Sequence, residues 1–168
     1  MLPTTSSLAR VYNALFLLDV GGVAGNDLVL YVHPNGLAVV CLAPSHALLA
    51  DTRPLSVSFG HDASQLVCPT NGKKRHGNGV VLGRDAPLAV VTCGSDTVTT
   101  RACVRCKLLE ANARLEAEPG LLREEPDGAG FLAIVQPFPD ALLDLQKSAM
   151  SRSAFAAARP MLAGTAAG

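Results

Sequence analysis

The chain has 168 residues, of which 49% are hydrophobic and 17% are charged, and its formal net charge at pH 7 is zero. A chain of this length fits one domain and can bury a hydrophobic core. Because the net charge is zero, no overall field attracts nucleic acid or an acidic membrane, which argues against a general nucleic-acid-binding protein. We therefore expect neither nucleic acid nor a membrane as a partner.

The cysteine content predicts an intracellular protein. An odd number of cysteines without a secretory signal is typical of reduced thiols in the cytosol or nucleus. The apolar run at residues 15–18 is too short for a signal peptide, and no segment approaches the roughly eighteen apolar residues of a spanning helix. The five cysteines are Cys41, Cys68, Cys93, Cys103 and Cys106.

The first elements of the chain are predicted from spacing and turn residues. Apolar residues three and four positions apart in residues 8–18 predict a short helix. Residues 28–32 are rich in residues that favour strands, and Pro34-Asn35-Gly36 is typical of a tight turn. Residues 37–42 then predict a second strand, so that 28–42 form a hairpin.

The next segment contains further short elements. Residues 44–49 predict a helical turn with Ser45 as a possible cap. Residues 55–59 alternate between apolar and polar side chains, which indicates a half-buried strand. Residues 66–68 suit another short strand, and the glycines of residues 71–79 predict a surface loop.

The second half of the chain predicts more strands and a helical end. Strands are expected at 88–92 and 97–106, joined by a turn at Gly94-Ser95-Asp96. Residues 102–137 predict a strand, a short helix over 112–118, a turn over 124–130 and a strand over 131–135. Residues 140–159 have helical spacing, whereas 164–168 are too small and featureless to order themselves.

Neither a metal site nor a catalytic site is predicted. Cys103 and Cys106 form a C-x-x-C without the second pair that a structural zinc site needs. On a strand their side chains would face opposite sides, which predicts one buried and one exposed thiol. His46 is explained by capping and packing, and the acidic residues 124–127 lie in a predicted solvated turn. No histidine accompanies a nucleophile in an arrangement such as G-x-S-x-G.

The best candidate for a binding contact is a basic loop, Lys73, Lys74, Arg75 and His76. Such a loop suits an acidic protein surface, phosphate groups or an RNA backbone. The alternative is a solvated loop that only keeps the protein soluble. No aromatic residues alternate with these cations to stack bases, which weakens the case for RNA.

Residues 110–112, 119–122 and 125–132 resemble the H protein of the glycine cleavage system. Their sequences, E-A-N, P-G-L-L and E-P-D-G-A-G-F-L, are similar to its V-N and P-x-L-(I/V)-N-x-(D/E)-P-x-G-x-G-(W/F)-L. The resemblance implies a mainly β fold, a barrel-sandwich hybrid with the single hybrid motif of biotinyl- and lipoyl-carrier proteins and a few peripheral helices.

The same resemblance locates the position of a cofactor-bearing lysine. Residues 89–95, A-V-V-T-C-G-S, fall where the H protein has A-E-V-E-S-V-K, and Ser95 occupies the lysine position. No lysine lies between Lys74 and Lys107. Because a serine hydroxyl cannot form the amide that attaches lipoate, we expect no lipoyl cofactor and no other cofactor.

A closer resemblance is to the Abitram (Simiate) family, an H-protein-like branch without lipoylation. Residues 33–46, H-P-N-G-L-A-V-V-C-L-A-P-S-H, are similar to its H-S-N-x-I-x-V-I-x-L-A-x-S-H-P, and 72–77, G-K-K-R-H-G, to its S-G-K-x-K-x-G. Within one domain of residues 1–168, the resemblance implies an H-protein-like core over 8–137, and 138–168 form a helical extension and loose tail.

The Abitram resemblance implies a non-enzymatic protein that binds actin filaments and monomers and modulates actin assembly and transcription. It also implies a location in the nucleus, at nuclear speckles, and in the cytoplasm. The alternative is an H-protein-like carrier, or a degenerate carrier that docks an acyl-transfer or oxidoreductase complex through its hairpin.

Overall fold

The computed structural model describes residues 12–59 and 80–159. In these two ranges, strands account for most of the regular structure, which confirms the prediction of a mainly β protein. They are β1 (Asn13–Leu17), β2 (Leu28–Val32), β3 (Ala38–Leu42), β4 (Leu55–Phe59), β5 (Val80–Leu82), β6 (Pro87–Cys93), β7 (Asp96–Arg101), β8 (Cys106–Ala111) and β9 (Ala133–Pro137).

The helices are short and lie around the strands. Among the described residues, four are single turns, one of them a 3₁₀ turn, and the two longer ones follow the last strand. No helix in the described part of the chain is long and apolar enough to span a membrane. The helices are a 3₁₀ turn (Val20–Gly22), α1 (Ala47–Ala50), α2 (Arg114–Ala117), α3 (Leu121–Glu124), α4 (Pro139–Ser148) and α5 (Arg152–Ala158).

The strands form two antiparallel sheets. The larger has the order β1-β2-β3-β9-β8-β5, and the smaller has the order β4-β6-β7. The inner faces of both sheets contribute to one main core, which includes Leu30, Val40, Val57 and Val91. No strand joins the two sheets into a closed barrel within residues 12–59 and 80–159.

A second, smaller core covers the other face of β1–β3. Phe16, Val29 and Tyr31 belong to it, together with Phe155 of α5. Along β2, alternate side chains therefore enter different cores, and all five residues are buried. Burial on both faces explains why β2 is a continuous apolar run rather than an alternating one.

The predicted helix over residues 8–18 is wrong where the structure describes it. Residues 13–17 form β1, which pairs with β2 from Asn13↔Val32 to Leu17↔Leu28. Leu15 enters the main core and Phe16 the second core. Two buried faces place apolar residues at consecutive positions, and over five residues such a run also satisfies helical spacing.

The hairpin of β2 and β3 is confirmed. The strands pair from Leu28↔Leu42 to Val32↔Ala38. In the turn, Gly36 has φ +96°, which an L side chain rarely adopts, and the Asn35 side chain accepts a hydrogen bond from the Leu37 amide at 2.9 Å. The residues Pro34-Asn35-Gly36 thus supply the backbone freedom and side-chain acceptor that the turn uses.

The helical turn after β3 is confirmed, but its predicted cap is wrong. The Leu48 amide donates to Nδ1 of His46 at 3.1 Å, so His46 is the N-cap of α1. The Ser45 hydroxyl instead donates to Oδ2 of Asp27. Because Asp27 is fully buried, its carboxylate needs donors, and Ser45 is one of them.

The smaller sheet shows the predicted alternation. On β4, Val57 and Phe59 are buried, whereas Ser56 and Ser58 are exposed. Strand β7 ends at Arg101 rather than continuing to residue 106. The break follows from Cys103, whose φ of +69° is incompatible with a strand. From Cys106 the chain belongs to the larger sheet as β8.

The glycine-rich turn before β9 is held by its own backbone. The amides of Gly128 and Gly130 both donate to the carbonyl of Glu125, at 3.0 and 2.8 Å. A Cβ at position 130 would lie 2.2 Å from the Leu121 carbonyl oxygen, which no real contact allows. Asn112 donates to the carbonyls of Ala129 and Phe131 at 2.7 and 2.9 Å. The turn predicted over 124–130 is thus confirmed.

The helices predicted over residues 140–159 are also confirmed. Pro139 opens α4, as suits a residue without an amide hydrogen. The Ser151 hydroxyl accepts from the Ala154 amide at 3.3 Å and caps α5. Between the helices, Met150 exchanges two backbone hydrogen bonds of 2.9 Å with Phe16, which covers the free edge of β1.

The structure does not test some of the predictions. The strand at 66–68, the surface loop at 71–79 and the loose end at 164–168 lie outside the described residues. The division into a core over 8–137 and an extension over 138–168 stays a prediction.

Candidate functional site

The hairpin of β6 and β7 ends in a two-residue turn, with Cys93 paired to Asp96. Gly94 has φ +61°, which suits glycine, and its amide donates to the Pro54 carbonyl at 3.3 Å. Ser95 is exposed at the end of this hairpin. The residue that the sequence alignment places at the lysine position therefore lies at a turn open to solvent. Its equivalence to a lipoyl lysine stays a prediction.

One side of the turn carries the hairpin cluster, defined as Asp51, Arg53, Asp96 and Arg123. Nη2 of Arg53 lies 2.7 Å from Oδ2 of Asp51 and 2.8 Å from Oδ2 of Asp96. Hydrogen bonds from Arg53 hold the pKa of Asp51 well below its usual range, and the bonds that Arg53 donates to Asp51 and Asp96 raise the pKa of Arg53. Asp51 and Arg53 are therefore ionised at neutral pH.

Arg123 lies beneath the hairpin and connects three segments. Its Nε donates to the Leu48 carbonyl at 2.9 Å, and its Nη1 donates to the Arg53 carbonyl at 2.6 Å. Its Nη2 lies 3.4 Å from Sγ of Cys93. With these donors engaged, Arg123 orients the hairpin relative to α1 and the segment before β4.

The predicted binding contact is not tested. Lys73, Lys74, Arg75 and His76 lie outside the described residues, between β4 and β5. Both flanking strands have defined pairings, since β4 pairs with β6 and β5 pairs with β8. The ends of the segment that holds the basic loop are thereby fixed, one on each sheet.

A second polar group, the Asp27 cluster, consists of Asp19, Asp27, Ser45 and Arg159. Arg159 lies 3.0 Å from Asp27 through Nε and 3.0 Å from Asp19 through Nη2. The Asp19 amide also donates to Oδ1 of Asp27 at 2.8 Å. Burial alone would raise the pKa of Asp27, but hydrogen bonds from Arg159, Ser45 and the Asp19 amide outweigh it and lower the pKa.

His46 is buried next to this cluster. Its Nε2 lies 2.8 Å from Oδ1 of Asn26, whose Nδ2 donates to the carbonyls of Val20 and Thr99 at 2.9 and 3.0 Å. Burial lowers the pKa of His46 to about 4, although the negative charge of Asp27 acts in the opposite direction. His46 is therefore neutral at pH 7 and is fully engaged in structure, as its predicted role in capping and packing requires.

The C-x-x-C thiols differ from the prediction of one buried and one exposed side chain, because both are buried. Cys103 precedes β8 rather than lying on it, so strand alternation does not separate it from Cys106. Burial raises the pKa of Cys103 to about 12 and that of Cys106 to about 11. Both thiols are therefore protonated at neutral pH, whereas a cysteine nucleophile must be a thiolate.

Sequence reasoning assigned no polar contact to Asn26, Asp27, Arg159 or Asn112, although Asn112 belongs to the predicted helix and to the H-protein-like pattern. Asn26 and Asp27 directly precede the fully apolar β2, and polar residues at the end of a buried strand must find partners. That signal was available. The partner of Asp27, however, is an arginine 132 positions away, which no local pattern indicates.

Buried and exposed titratable groups differ in the form that their surroundings favour. His46, Cys41 and Cys103 are buried, and burial favours their neutral forms. Asp51 and Arg53 form an ion pair that favours their charged forms. Among the described residues, no group of three or more His, Cys, Asp or Glu side chains could hold a metal ion.

The chain is similar to curated proteins from animals and a slime mould. It is 38% identical over 112 residues to Protein Abitram from Drosophila melanogaster, a match that covers 65% of this chain and only 50% of the relative. It is 30% identical over 140 residues to Protein Abitram from Homo sapiens, covering 80% and 77%. With the Dictyostelium discoideum protein of the same name it shares 32% identity over 134 residues, covering 77% and 74%.

A solved structure supports the fold. The crystal structure of a glycine cleavage system H protein from Mycobacterium marinum matches with a TM-score of 0.55 and 16% identity, covering 79% of this chain and 91% of that chain. At this identity the match concerns the fold alone, and it confirms the predicted H-protein-like architecture. No protein-family model matches the chain.

Proposed function

The chain belongs to the Abitram family, and we propose that it is a non-enzymatic interaction protein that binds actin filaments and monomers. Through this binding it modulates actin assembly and transcription. Its proposed locations are the nucleus, at nuclear speckles, and the cytoplasm. The partner and the locations come from the family resemblance, whereas the argument against a carrier comes from this chain's own residues.

The preference for an interaction protein over a carrier rests on Ser95, which is exposed at the end of the β6–β7 hairpin. By the sequence resemblance, this is the position at which an H-protein-like carrier has the lysine whose amine forms an amide with lipoate. The hydroxyl of Ser95 cannot form that amide. The hairpin then offers only a surface, and its charges are those of the hairpin cluster.

The burial of His46, Cys103 and Cys106 argues against catalysis by these side chains, which further supports a binding role. A general base must exchange protons near neutral pH, and His46 is buried with a pKa of about 4. A thiol nucleophile must ionise, and burial opposes this at Cys103 and Cys106. These side chains stabilise the fold instead.

The basic loop Lys73–His76 is the proposed contact with actin, whose surface is acidic. Opposite charges attract over about 8 Å at physiological salt, so the contact should weaken as salt rises. In the sequence, the loop lies between β4 and β5.

Co-sedimentation with actin filaments tests the proposal. We expect saturable pelleting of the full chain at low salt and weaker pelleting at moderate salt. The variant Lys73→Glu/Lys74→Glu should bind at least about tenfold more weakly, because it reverses two positive charges that are proposed to face acidic groups of actin. A matched control is Arg114→Glu/Lys147→Glu, which makes the same change in net charge at exposed positions of α2 and α4.

The two variants separate the basic loop from general charge. Equal weakening of both would show that only net charge matters, and unchanged binding of the loop variant would rule the loop out. No pelleting of the wild-type chain at either salt would exclude filament binding. Circular dichroism of each variant checks that folding is intact.

The carrier alternative is tested by intact mass. The chain is expressed together with a lipoate ligase and free lipoate, and its mass is compared with that of the bare sequence. We expect equality. A mass increase equal to one lipoyl group would replace the interaction proposal with a carrier function.

A further inference from the structure

A cleft of about 290 Å³ lies at the end of the smaller sheet away from the Gly94–Ser95 turn. One wall consists of the loops before β6 and before β8, with Arg84, Cys103 and Arg105. The other wall is one face of α4, with Ala141, Leu145 and Ser148. The lining is more apolar than polar, with arginines on one side.

The apolar part of the cleft is built by the core. Leu145 is buried and belongs to the main core, and Ala141 packs partly buried against it. Cys103 is 5% exposed and lies opposite on the loop wall. These side chains cannot withdraw from the cleft without disturbing the core, so the apolar floor is preformed.

The cationic part is held by two different constraints. The Arg105 guanidinium carbon lies 4.2 Å from the centre of the Phe138 ring, and its carbonyl accepts from the Phe138 amide at 3.1 Å. The carbonyl of Arg84 accepts from the Cys103 amide at 2.8 Å, which fixes its backbone at the cleft. Its guanidinium is near the Cys103 thiol. Burial raises the pKa of that thiol, and the positive charge of Arg84 acts in the opposite direction.

Neither arginine is neutralised by a neighbour in the described ranges. None of the ion pairs among these residues includes Arg84 or Arg105. Asp144 on α4 contributes one carboxylate to the lining, so the cations outnumber it two to one. The cleft therefore combines an apolar floor with a net positive wall.

We propose that this cleft binds a small organic carboxylate, with the carboxylate at Arg84 and Arg105 and an apolar body against Ala141 and Leu145. Arginine binds carboxylates through its fork of N–H donors, often two at a time. The cleft volume is close to the lower limit of roughly 300 Å³ for ligand pockets, which favours a small ligand. This site is independent of the proposed contact with actin.

Hexanoate is a suitable probe, because it has one carboxylate and a five-carbon apolar tail. We expect saturable changes in the amide NMR signals of the full chain, concentrated at residues 83–84, 103–105 and 141–148. Acetate lacks the apolar body and hexan-1-ol lacks the charge, so both should bind at least about tenfold more weakly.

Two variants test the two halves of the cleft separately. Arg84→Gln removes one charge from an exposed loop residue and should weaken hexanoate binding about tenfold. Ala141→Leu fills the cleft without changing charge and should reduce binding to a similar extent. Arg114→Gln is the control, since Arg114 is exposed on α2 and pairs with Glu118, and it should leave the affinity unchanged.

The proposal is overturned if the signal changes do not saturate, if they lie away from the cleft, or if hexan-1-ol binds as well as hexanoate. It is equally overturned if Arg84→Gln binds hexanoate like the wild type. An amide spectrum of each variant that matches the wild type outside the cleft shows that the fold is retained.

Discussion

The Asp27 cluster and the hairpin cluster share one arrangement, an arginine between two carboxylates, but have opposite surroundings. In each, one arginine lies between two carboxylates: Arg159 between Asp19 and Asp27, and Arg53 between Asp51 and Asp96. Arg159 is separated from its carboxylates by 132 and 140 positions, whereas Arg53 is separated from Asp51 by two. The first cluster joins the two ends of the described chain, and the second shapes one turn.

Burial gives the two clusters different energetic weight. Asp27 is fully buried, whereas the side chain of Asp96 is 68% exposed. Exposed ion pairs contribute about 0–1 kcal/mol, because water already solvates both charges. Removing one partner of a buried pair costs about 3–5 kcal/mol, because the remaining groups lose their compensation. The same arrangement of an arginine between two carboxylates therefore stabilises the fold in the Asp27 cluster and leaves exposed charges in the hairpin cluster.

The difference also separates structure from the proposed function. The Asp27 cluster holds the end of α5, whose Phe155 stacks on Phe16 at 4.1 Å between ring centres. Substitutions there should affect the whole fold. In the hairpin cluster, Arg123 connects segments of the fold, whereas Arg53 and Asp96 form an exposed ion pair that is open to a partner.

Asp27→Ala should have the largest effect among these predictions. The substitution leaves Arg159, the Ser45 hydroxyl and the Asp19 amide without their acceptor. We expect the free energy of unfolding to fall by about 4 kcal/mol. Urea denaturation of the full chain at pH 7 measures it.

Asp96→Ala is the matched substitution in the hairpin cluster. It removes one of two carboxylates from Arg53 at an exposed site, so a loss of under about 1 kcal/mol is expected. Equal losses in the two variants would contradict the distinction by burial. A small loss in Asp27→Ala would mean that the Arg159 pairing contributes little.

Much of the fold is predictable because local rules decide it. The β2–β3 hairpin follows from its apolar strands and the Pro34-Asn35-Gly36 turn. The glycine-rich turn at residues 124–130 follows from the H-protein pattern, and the contact at Gly130 gives the reason for it, since no Cβ fits against the Leu121 carbonyl.

The rest depends on distant parts of the chain. Residues 13–17 become a strand because β2 lies on one side and Met150 covers the other edge. Both C-x-x-C thiols are buried because Cys103 adopts a positive φ at the crossing between the sheets. The Asp27 cluster depends on Arg159, and the arginine wall of the cleft meets the α4 wall only in the fold. Local sequence patterns do not indicate these contacts between distant residues.

The pH dependence of stability tests the buried side of the comparison next. The pKa of His46 is about 4 in the folded chain, against about 6.5 for an unperturbed histidine. Between these values the unfolded chain binds a proton that the folded chain does not. The contribution of His46 to the free energy of unfolding is therefore fully present above about pH 6.5. It is lost as the pH decreases to about 4, and the loss is about 3 kcal/mol.

His46→Asn should flatten this part of the curve. Asparagine keeps an oxygen that can accept from the Leu48 amide as an N-cap, but it does not titrate. Urea denaturation at several pH values between 4 and 7 compares the two slopes. A variant as steep as the wild type would assign the pH dependence to other groups.

The smallest predicted effect is that of Ser95→Ala in the hairpin turn, where the roles of backbone and side chain can be separated. Gly94→Ala introduces a Cβ at φ +61°, 2.8 Å from Cδ of Arg53, and should cost about 1 kcal/mol. The cost stays moderate because the flexible Arg53 side chain can move aside. Ser95→Ala changes an exposed hydroxyl and should alter stability by less than about 0.5 kcal/mol.

Urea denaturation measures both turn variants, and their difference carries the argument. If only Gly94→Ala is destabilising, the fold requires the turn's backbone but not the side chain at position 95. The Ser95 side chain then contributes nothing to stability, as is required of a side chain that is available to an interaction surface. A Ser95→Ala variant that loses as much stability as Gly94→Ala would assign Ser95 a structural role instead, and the contrast between an enclosed and an open cluster would no longer extend to the hairpin tip.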